Sequence, residues 1–366
     1  MVLKLYASWK SIGLYRGEKK ENQNTPKPFL SVIIPIRNES ENIIRLLNDI
    51  NVQDISTHAF EVIVVDDAST DDSVKKIALH TFNFKLQVFH LVVEEGFSGS
   101  HKKRALTLGI QLCTGDYIVT TDGDCRVKPQ WLSSLTEFIN TYNPACITGP
   151  VTFEKENSIF KDMQTIEFAF LIGTGASSLH LGFPNMCNGA NLSFSKKSFY
   201  EVKGYEGNIH IPSGDDEFLM HKIYNKYPKE VYFLKSEHFI VNTKAKDDLK
   251  SLFYQRRRWA GKWNMYSDIK ISLFAIFYFT FNLVFFAVFL MVCLGKYPVS
   301  IFLLQTFFRF IFDFIFIRSV MKFLKQPFSI FIFLLAEFIY PFYVIVLGIA
   351  TNFGNYEWKG RKIKLS

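Results

Sequence analysis

Two aspartates flanking one glycine, Asp122-Gly123-Asp124, have the spacing in this chain best suited to sharing a hard cation. Carboxylates placed this way in a turn can converge on Mg2+ or Mn2+, and the glycine lets backbone approach closely. A cation held there would bridge a diphosphate and neutralise its charge as it leaves. A solvated turn explains the same three residues, because Asp and Gly are ordinary turn formers. Position favours chemistry: the triplet ends an apolar run, Tyr117–Asp122.

A second acidic group, Asp215-Asp216-Glu217, stands before Phe218, Leu219 and Ile223 on an expected helix. Ser213 and Asp216 have capping-box spacing, so a helix cap accounts for Asp216 without catalysis. Adjacent carboxylates exceed what a cap needs, however. One could take the proton of an attacking hydroxyl, with like-charged neighbours raising its pKa toward the working range. Asp216 is the first choice for that base and Asp215 the fallback. Farther on, Gln255-Arg256-Arg257-Arg258-Trp259 falls on a helix expected from Lys246 to about Trp263. Arg258 could grip a diphosphate with its planar fork, and Trp259 offers a face for a sugar ring. A basic, aromatic belt beside a membrane would have the same composition, and Arg256 and Arg257 are assigned to it. Asn188-Gly189-Ala190-Asn191 reads as a tight turn into a strand, with turn chemistry and an acceptor-site role for Asn188 both open. His101, His210 and His221 lack metal-ligand spacing and read as surface or satisfied residues.

The elements that must position these groups alternate. Phe29–Ile36, Phe60–Asp67, Leu86–Val93 and Tyr117–Asp122 are short runs rich in Val and Ile. Helical spacing lies between them, at Ile43, Ile44, Leu47 and Ile50, from Lys103 to Cys113, and from Pro129 to Tyr142. Asn38, with Glu41 three residues on, is the expected cap of the first helix, and Ser69–Asp72 opens the next. Nearly all-apolar strands alternating with helices predict an α/β fold, its mostly parallel sheet covered on both faces. Ligands of such sheets bind beyond the carboxyl ends of the strands, where Asp66-Asp67 and Asp122-Gly123-Asp124 fall. No GxGxxG or GxxxxGK[ST] follows a strand, so a dinucleotide site or P-loop lacks its main support.

The 366 residues carry 42 Lys+Arg against 34 Asp+Glu, a net charge of +8, and are 48% hydrophobic with 39 Phe. Disorder is excluded by that apolar content. Five cysteines, an odd number without CxxC spacing, read as reduced thiols and argue against a disulfide scaffold or a zinc site. The basic residues cluster at Arg256–Arg258 and Lys359–Lys364, on either side of a Phe-rich quarter. That placement points to a membrane and away from nucleic acid. Leu273–Leu294, Val299–Val320 and Phe328–Ala350 are each long enough to cross a bilayer. Arg309 and Asp313, four apart, share a helix face and can pair. With Arg318 and Glu337 they either tie a packed hairpin together or line an acceptor or product path. The positive-inside rule does not close: three crossings from a cytosolic start leave the Lys359–Lys364 tail outside, against its charge. Met1–Lys20 has no apolar run long enough for a signal peptide or a span. Val2, Leu3, Leu5, Tyr6 and Trp9 fit a short interfacial helix or a plain leader, and residues 1–270 are expected on the cytosolic face.

An ordered set of segments resembles the inverting family-2 glycosyltransferases: VIIPIRNE (Val32–Glu39), VVDDAST (Val64–Thr70), TDGDC (Thr121–Cys125), NGANLSF (Asn188–Phe194), GDDEFL (Gly214–Leu219) and QRRRW (Gln255–Trp259). The resemblance covers roughly residues 28–263. QxxRW is similar to the motif of cellulose synthase-like and ceramide glucosyltransferase-like members. It implies a GT-A nucleotide-diphospho-sugar-binding fold and a divalent cation, Mg2+ or Mn2+. It also implies sugar transfer with inversion from a nucleotide-diphospho-sugar, UDP-linked by expectation. By the same resemblance Pro35, Glu39 and Asp67 line the uridine pocket, and Lys102 or Lys103 touches the donor. Asp122 and Asp124 hold the sugar nucleotide, Asp124 through the metal. Asp216 is the base, and Gln255, Arg258 and Trp259 form the acceptor and diphosphate platform.

The expected organisation is a leader, possible interfacial helix included, at 1–28, a catalytic domain at 29–245, and a juxtamembrane helix at 246–270. About three spans at 271–350 and a basic tail at 351–366 follow. Few, C-terminal spans suit a lipid hydroxyl brought laterally from the bilayer, with a membrane-associated glycan or a processive polymer as the other acceptors. A non-catalytic nucleotide-binding scaffold and a transporter are the readings from other classes. Plasma-membrane residence is the expected location.

Overall fold

The computed structural model describes residues 1–17, 27–92, 99–262, 265, 269–351, 356–358 and 361–363, the last two segments as backbone only. The chain divides into two compact units. One comprises residues 12–154 and 178–244, the other residues 1–11, 155–177 and 245–366.

The first unit carries the alternation expected from sequence. After α1 (Val2–Ser11, in the other unit) come β1 (Leu30–Ile36), α2 (Ile43–Asn51), β2 (Phe60–Asp66), α3 (Ser73–Ala78), β3 (Lys85–His90), α4 (His101–Leu112), β4 (Tyr117–Thr120) and α5 (Trp131–Tyr142). β5 (Cys146–Thr148) and β6 (Val151–Phe153) precede α6 (Ile159–His180), which runs from one unit into the other. Then follow β7 (Leu192–Ser195), α7 (Lys196–Glu201), α8 (Glu217–Lys226), β8 (Val231–Phe233) and β9 (Val241–Thr243). Seven strands form one sheet in the order β3-β2-β1-β4-β7-β5-β8, with β6 paired to β9 beside it. β1 runs parallel to β2 and β4, whereas β7 is antiparallel to both β4 and β5. β1, β2 and β4 are almost wholly buried, which is why their sequences read as continuous apolar runs instead of alternating ones. Pairing of β1 with β4 ends at Ile33 opposite Thr120, so Pro35 lies past the last rung, where a missing N–H is tolerated.

One expected cap is corrected. Asn38 does not cap α2, whose first flanking residue is Asn42. Asn38 instead adopts φ +54°, a left-handed turn that Asn tolerates better than most residues. From there its Oδ1 accepts the Thr70 N–H (2.8 Å), and its own N–H donates to Ser69 Oγ (3.0 Å), joining the loops after β1 and β2. The capping reading of Asp216 holds: it is the cap of α8, accepting the N–H of Glu217.

In the second unit α9 (Leu249–Ala260), capped by Asp248, precedes α10 (Ile269–Cys293), α11 (Val299–Phe323) and α12 (Ile330–Ala350). The last three are long and apolar enough to cross a membrane, at the three stretches read from sequence. α1 packs here: Trp9 meets Phe323 edge-on at 5.4 Å, and Ser8 Oγ donates to the carbonyl of Ser177 (2.9 Å). The tail at Lys359–Lys364 and Trp263 fall outside the side chains described.

Candidate active site

The acidic strand ends are tied to one another by two consecutive residues at the start of α4. Ser100 caps that helix, its Oγ accepting the Lys103 N–H. His101 Nδ1 lies 3.1 Å from Asp67 Oδ1, just past the end of β2. Lys102 Nζ reaches Asp122 Oδ1 at 2.7 Å, beyond β4, and Asp215 Oδ2 at 3.1 Å, before α8. Burial disfavours the Lys102 ammonium, but Asp122 and Asp215 more than offset it and hold its pKa well above the ordinary value. Burial likewise pushes the Asp215 carboxyl up, and Lys102 reverses the effect, leaving it below the usual aspartate value.

Asp216 is oriented by backbone. One of its oxygens accepts the N–H of Gly189 (2.8 Å) and the other that of Glu217 (2.8 Å). Gly189 is needed here: a Cβ at this position would lie 2.9 Å from Asp215 Oδ2 and 3.4 Å from Lys102 Nζ. The Asn188–Asn191 turn thereby joins the crevice, with Asn188 Oδ1 accepting the Ala190 N–H and Thr120 Oγ1 donating to the Gly189 carbonyl. Gly123 approaches the other wall, where a Cβ would meet Glu39 Cγ at 2.9 Å. Glu39 is buried, its N–H donating to Ser73 Oγ (2.7 Å) and its Oε2 accepting from Asn42 Nδ2.

Of the residues singled out from sequence, Glu39, Asp67, Lys102, Asp122, Asn188, Asp215 and Asp216 thus belong to one connected set within the first unit, and Asp124 follows Asp122 in the same loop. Lys103 does not point there. It is fully buried, and its ammonium donates to the carbonyls of Asn208 (2.7 Å) and Ile211 (3.1 Å). Consecutive helical residues face different ways, so of the two lysines only Lys102 can meet the acids of the crevice. His101, read as a surface or satisfied residue, is a member of the set. Tyr205, not singled out from sequence, is another: it is buried among the charges of Asp215, Lys102 and Asp216, and burial raises its phenol pKa.

Gln255, Arg258 and Trp259 lie in the second unit, on α9. There Arg256 is no membrane-edge belt. It is 2% exposed and grips both oxygens of Glu167, with Nε at 3.1 Å from each and Nη2 at 2.8 Å from Oε2. Its guanidinium lies 4.5 Å from the Trp259 ring, which stacks on Phe168. Arg257 is buried too, while Arg258 and Trp259 are half-buried. A helix carrying three arginines in a row must turn some of them inward, because successive side chains are about 100° apart.

A model of glycosyl transferase family 2 matches residues 31–202, and one of glycosyl transferase family group 2 matches residues 117–354, more than half of the chain. The protein is a family-2 glycosyltransferase. Among its relatives, glycosyltransferase AglE of Haloferax volcanii is 35% identical over 130 residues, 36% of this chain and 41% of that protein. The poly(ribitol-phosphate) beta-N-acetylglucosaminyltransferase TarS of Staphylococcus aureus is 30% identical over 113 residues, 31% and 19% of the two chains. Undecaprenyl-phosphate 4-deoxy-4-formamido-L-arabinose transferase of Yersinia pestis is 26% identical over 140 residues, 38% and 41%. The matches span less than half the length of these relatives. Mannosyltransferase PcManGT of Pyrobaculum calidifontis, solved with GDP-Man and Mn2+, superposes with a TM-score of 0.54 at 15% identity, over 96% of this chain and 94% of that one. The glycosyltransferase therefore shares that fold, the GT-A-like arrangement of strands and helices described above.

Among the described residues no group of three or more His, Cys, Asp or Glu could hold a metal ion by itself. Asp122 and Asp124 still suit the small divalent cations. Mg2+ takes one or two carboxylates and fills its remaining positions with substrate phosphates and water, without an all-protein cage.

Proposed function

We propose that this family-2 glycosyltransferase is a membrane enzyme transferring a sugar, with inversion, from a nucleotide-diphospho-sugar to a hydroxyl of a lipid acceptor. A UDP-linked donor and a catalytic unit on the cytosolic face of the plasma membrane belong to the same reading. The observation carrying it is the Lys102 bridge, which gathers Asp122, Asp215 and Asp216 with the Gly189 turn. The three long apolar helices support the membrane setting. The undecaprenyl-phosphate transferase among the relatives supports a lipid acceptor.

Within the proposal the two acids before α8 have different tasks. Asp215 is neutralised by Lys102 and holds that lysine in place. One Asp216 oxygen accepts the N–H of Gly189 and the other that of Glu217, and each carboxylate oxygen has two lone pairs, so the cap bonds do not use up its capacity to accept. Capping and general-base duty are therefore compatible in one side chain. Asp216 takes the acceptor proton as the hydroxyl attacks the anomeric carbon from the face opposite the leaving diphosphate. Asp67 and Glu39, both buried at the ends of the loops after β2 and β1, recognise the nucleoside, with Pro35 behind them. Asp124, with Asp122, would hold Mg2+ or Mn2+, which when bound neutralises charge on the leaving diphosphate. Gln255, Arg258 and Trp259 are assigned to the acceptor and diphosphate.

The test is a panel of radiolabelled sugar nucleotides incubated with the purified full chain and total membrane lipids. One lipid-soluble product bearing one or a few sugars is expected. A ladder of long products would replace this reading with a processive synthase, and water-soluble products alone would remove the lipid acceptor.

A further inference from the structure

Within the second unit α10 and α11 form an antiparallel hairpin. Arg309 lies over the rings of Phe281 (5.3 Å) and Phe285 (4.6 Å), and Phe302 meets Phe285 (5.4 Å) and Phe289 (6.0 Å). α11 thus returns toward the end at which α10 begins, where its last turn meets Trp9 of α1. A third crossing by α12 would have to run beside α10 in the direction of α10 itself. Tyr340 lies beside Tyr278, with ring centroids 6.3 Å apart. At 1.5 Å per residue, Gly348 would then stand about 12 Å farther along, level with Phe286. It stands elsewhere: a Cβ on Gly348 would lie 2.5 Å from the ring of Phe279. The far contacts come earlier in α12, from Phe338 to Phe289 (6.4 Å) and from Phe342 to Phe286 (4.9 Å). α12 therefore lies across α10 and makes no net progress along it. Pro341, buried in its middle, leaves one carbonyl without its helical N–H, a place where helices bend.

The chain beyond α12 leads to the same conclusion. β10 (Tyr356–Trp358) pairs antiparallel with β11 (Arg361–Ile363), and β10 packs against α9, the helix that precedes α10. Tyr356 follows Thr351, the residue flanking α12, by five positions. Fully extended, such a segment reaches at most ~18 Å, whereas the hydrocarbon core is ~30 Å thick. A chain leaving α12 on the far side could not return to α9. The apolar side chains of Ile330, Phe331, Leu334, Phe338, Val346 and Ile349 are exposed, as suits a helix immersed in lipid.

We infer that α12 is a re-entrant segment, entering and leaving the bilayer on the face that carries α9. The chain then crosses twice, through α10 and α11, and its C-terminal basic segment shares a face with α1 and α9. This arrangement closes the positive-inside rule that three crossings leave open. Lys4, Lys10, Arg256–Arg258, Lys322, Lys325 and Lys359–Lys364 gather on one side, and the turn between α10 and α11 carries Lys296 alone. The inference concerns the path of the chain and stands apart from the transfer reaction.

Single cysteines replace Ser11 in α1, Lys296 in the α10–α11 turn or Ser366 in the tail of the full chain. Sealed membrane vesicles of one orientation are treated with a membrane-impermeant maleimide before and after detergent, and labelling is read above the wild-type background. Ser366→Cys is expected to follow Ser11→Cys, the two labelled or protected together, with Lys296→Cys behaving oppositely. Only this grouping is read, so the result depends neither on which face is cytosolic nor on activity. Ser366→Cys grouping with Lys296→Cys would restore three crossings and overturn the inference. So would Ser11→Cys and Lys296→Cys reacting from one face, because α10 then does not cross. Phe279→Cys and Gly348→Cys placed in one chain should be joined by a short bifunctional maleimide. Failure to cross-link would remove the contact on which the return of α12 rests.

Discussion

Replacing Lys102 with Met tests the arrangement on which the site depends. The side chain keeps its approximate length and loses the ammonium that bridges Asp122 (2.7 Å) and Asp215 (3.1 Å). Removing one partner of a buried pair costs about 3–5 kcal/mol, because the other charge is left uncompensated. The Asp122 side chain is 36% exposed and is hydrated once released, whereas that of Asp215 is 10% exposed and is not. The cost therefore comes from Asp215 and lies near the low end, about 3 kcal/mol. For a domain of 150–250 residues, one kcal/mol moves Tm by ~2–4 °C, so a fall of roughly 6–12 °C is expected. It is measured by thermal unfolding in detergent. The pH dependence follows from sign. In the wild type Lys102 holds the Asp215 carboxyl below 3.8, so this stabilisation is complete above that value and is lost only in acid. In Lys102→Met only a backbone hydrogen bond and the more distant charge of Lys103 still oppose burial, so the carboxyl moves up from its wild-type position; the deficit is full at high pH and fades as pH falls through that higher value. Adding Asp215→Asn removes the stranded charge and should restore more than half of the loss. An unchanged Tm, a deficit independent of pH, or no recovery in the double variant would refute the reasoning.

Four further outcomes are expected. Asp216→Asn should lower kcat by roughly 10²–10⁴-fold while donor binding persists, and cost about 1 kcal/mol, because an amide NH₂ cannot accept one of the two backbone N–H bonds; full activity in the folded variant would remove Asp216 from the chemistry. Asp124→Asn should reduce kcat/KM by roughly 10²–10³-fold, and chelation should silence the wild type until Mn2+ or Mg2+ is returned; activity indifferent to chelator would end the metal assignment. Arg256→Met should destabilise the second unit by about 3–5 kcal/mol through the unpaired Glu167, with Glu167→Leu in the same chain recovering most of it, both read as melting temperatures. Burial tends to raise the Asp71 carboxyl, yet bonds from Ser73 and Ser40 bring it to about 2, so it stabilises the fold above 3.8 and loses that contribution as pH falls to about 2; Asp71→Asn should flatten the stability curve in that acid window.

β1, β2 and β4 were legible because parallel strands buried on both faces leave unbroken runs of Val and Ile, with acids where β2 and β4 stop. β5, β6, β8 and β9 were not, since three residues each give no period to detect. α6 escaped for another reason: it is apolar on most sides, and its 22 residues lack one clear stripe. Charges at fixed separation on one element could be paired from spacing, and Arg309 with Asp313 duly shares a face. Glu337 joins them from α12, a partnership that spacing along α11 cannot express. Lys102 and Lys103 are chemically identical in the sequence, and only the direction in which α4 leaves Ser100 separates them. The reach of Arg256 to Glu167 likewise depends on how α9 lies on α6, and composition near a membrane edge suggested a belt instead.

The Lys102 bridge also constrains how the two aspartates flanking Gly123 divide their work. In the structure one Asp122 oxygen accepts from the ammonium at 2.7 Å. A divalent cation on that oxygen would face the same positive charge at close range, and two cations cannot share it without strong repulsion. Asp124 follows two residues on, beyond Gly123. The arrangement most economical in charge makes Asp124 the first carboxylate for the metal, while Asp122 anchors Lys102 with one oxygen and has only its other oxygen for the cation. Lys102 in turn keeps Asp215 ionised beside Asp216. Donor arrival then leaves Asp215 in place, because Lys102 already offsets its charge, and Asp216 is held by the N–H groups of Gly189 and Glu217. On this argument Asp122→Asn and Asp124→Asn are not equivalent. The first should disturb both stability and the pH profile through Lys102, and the second should act on metal dependence alone.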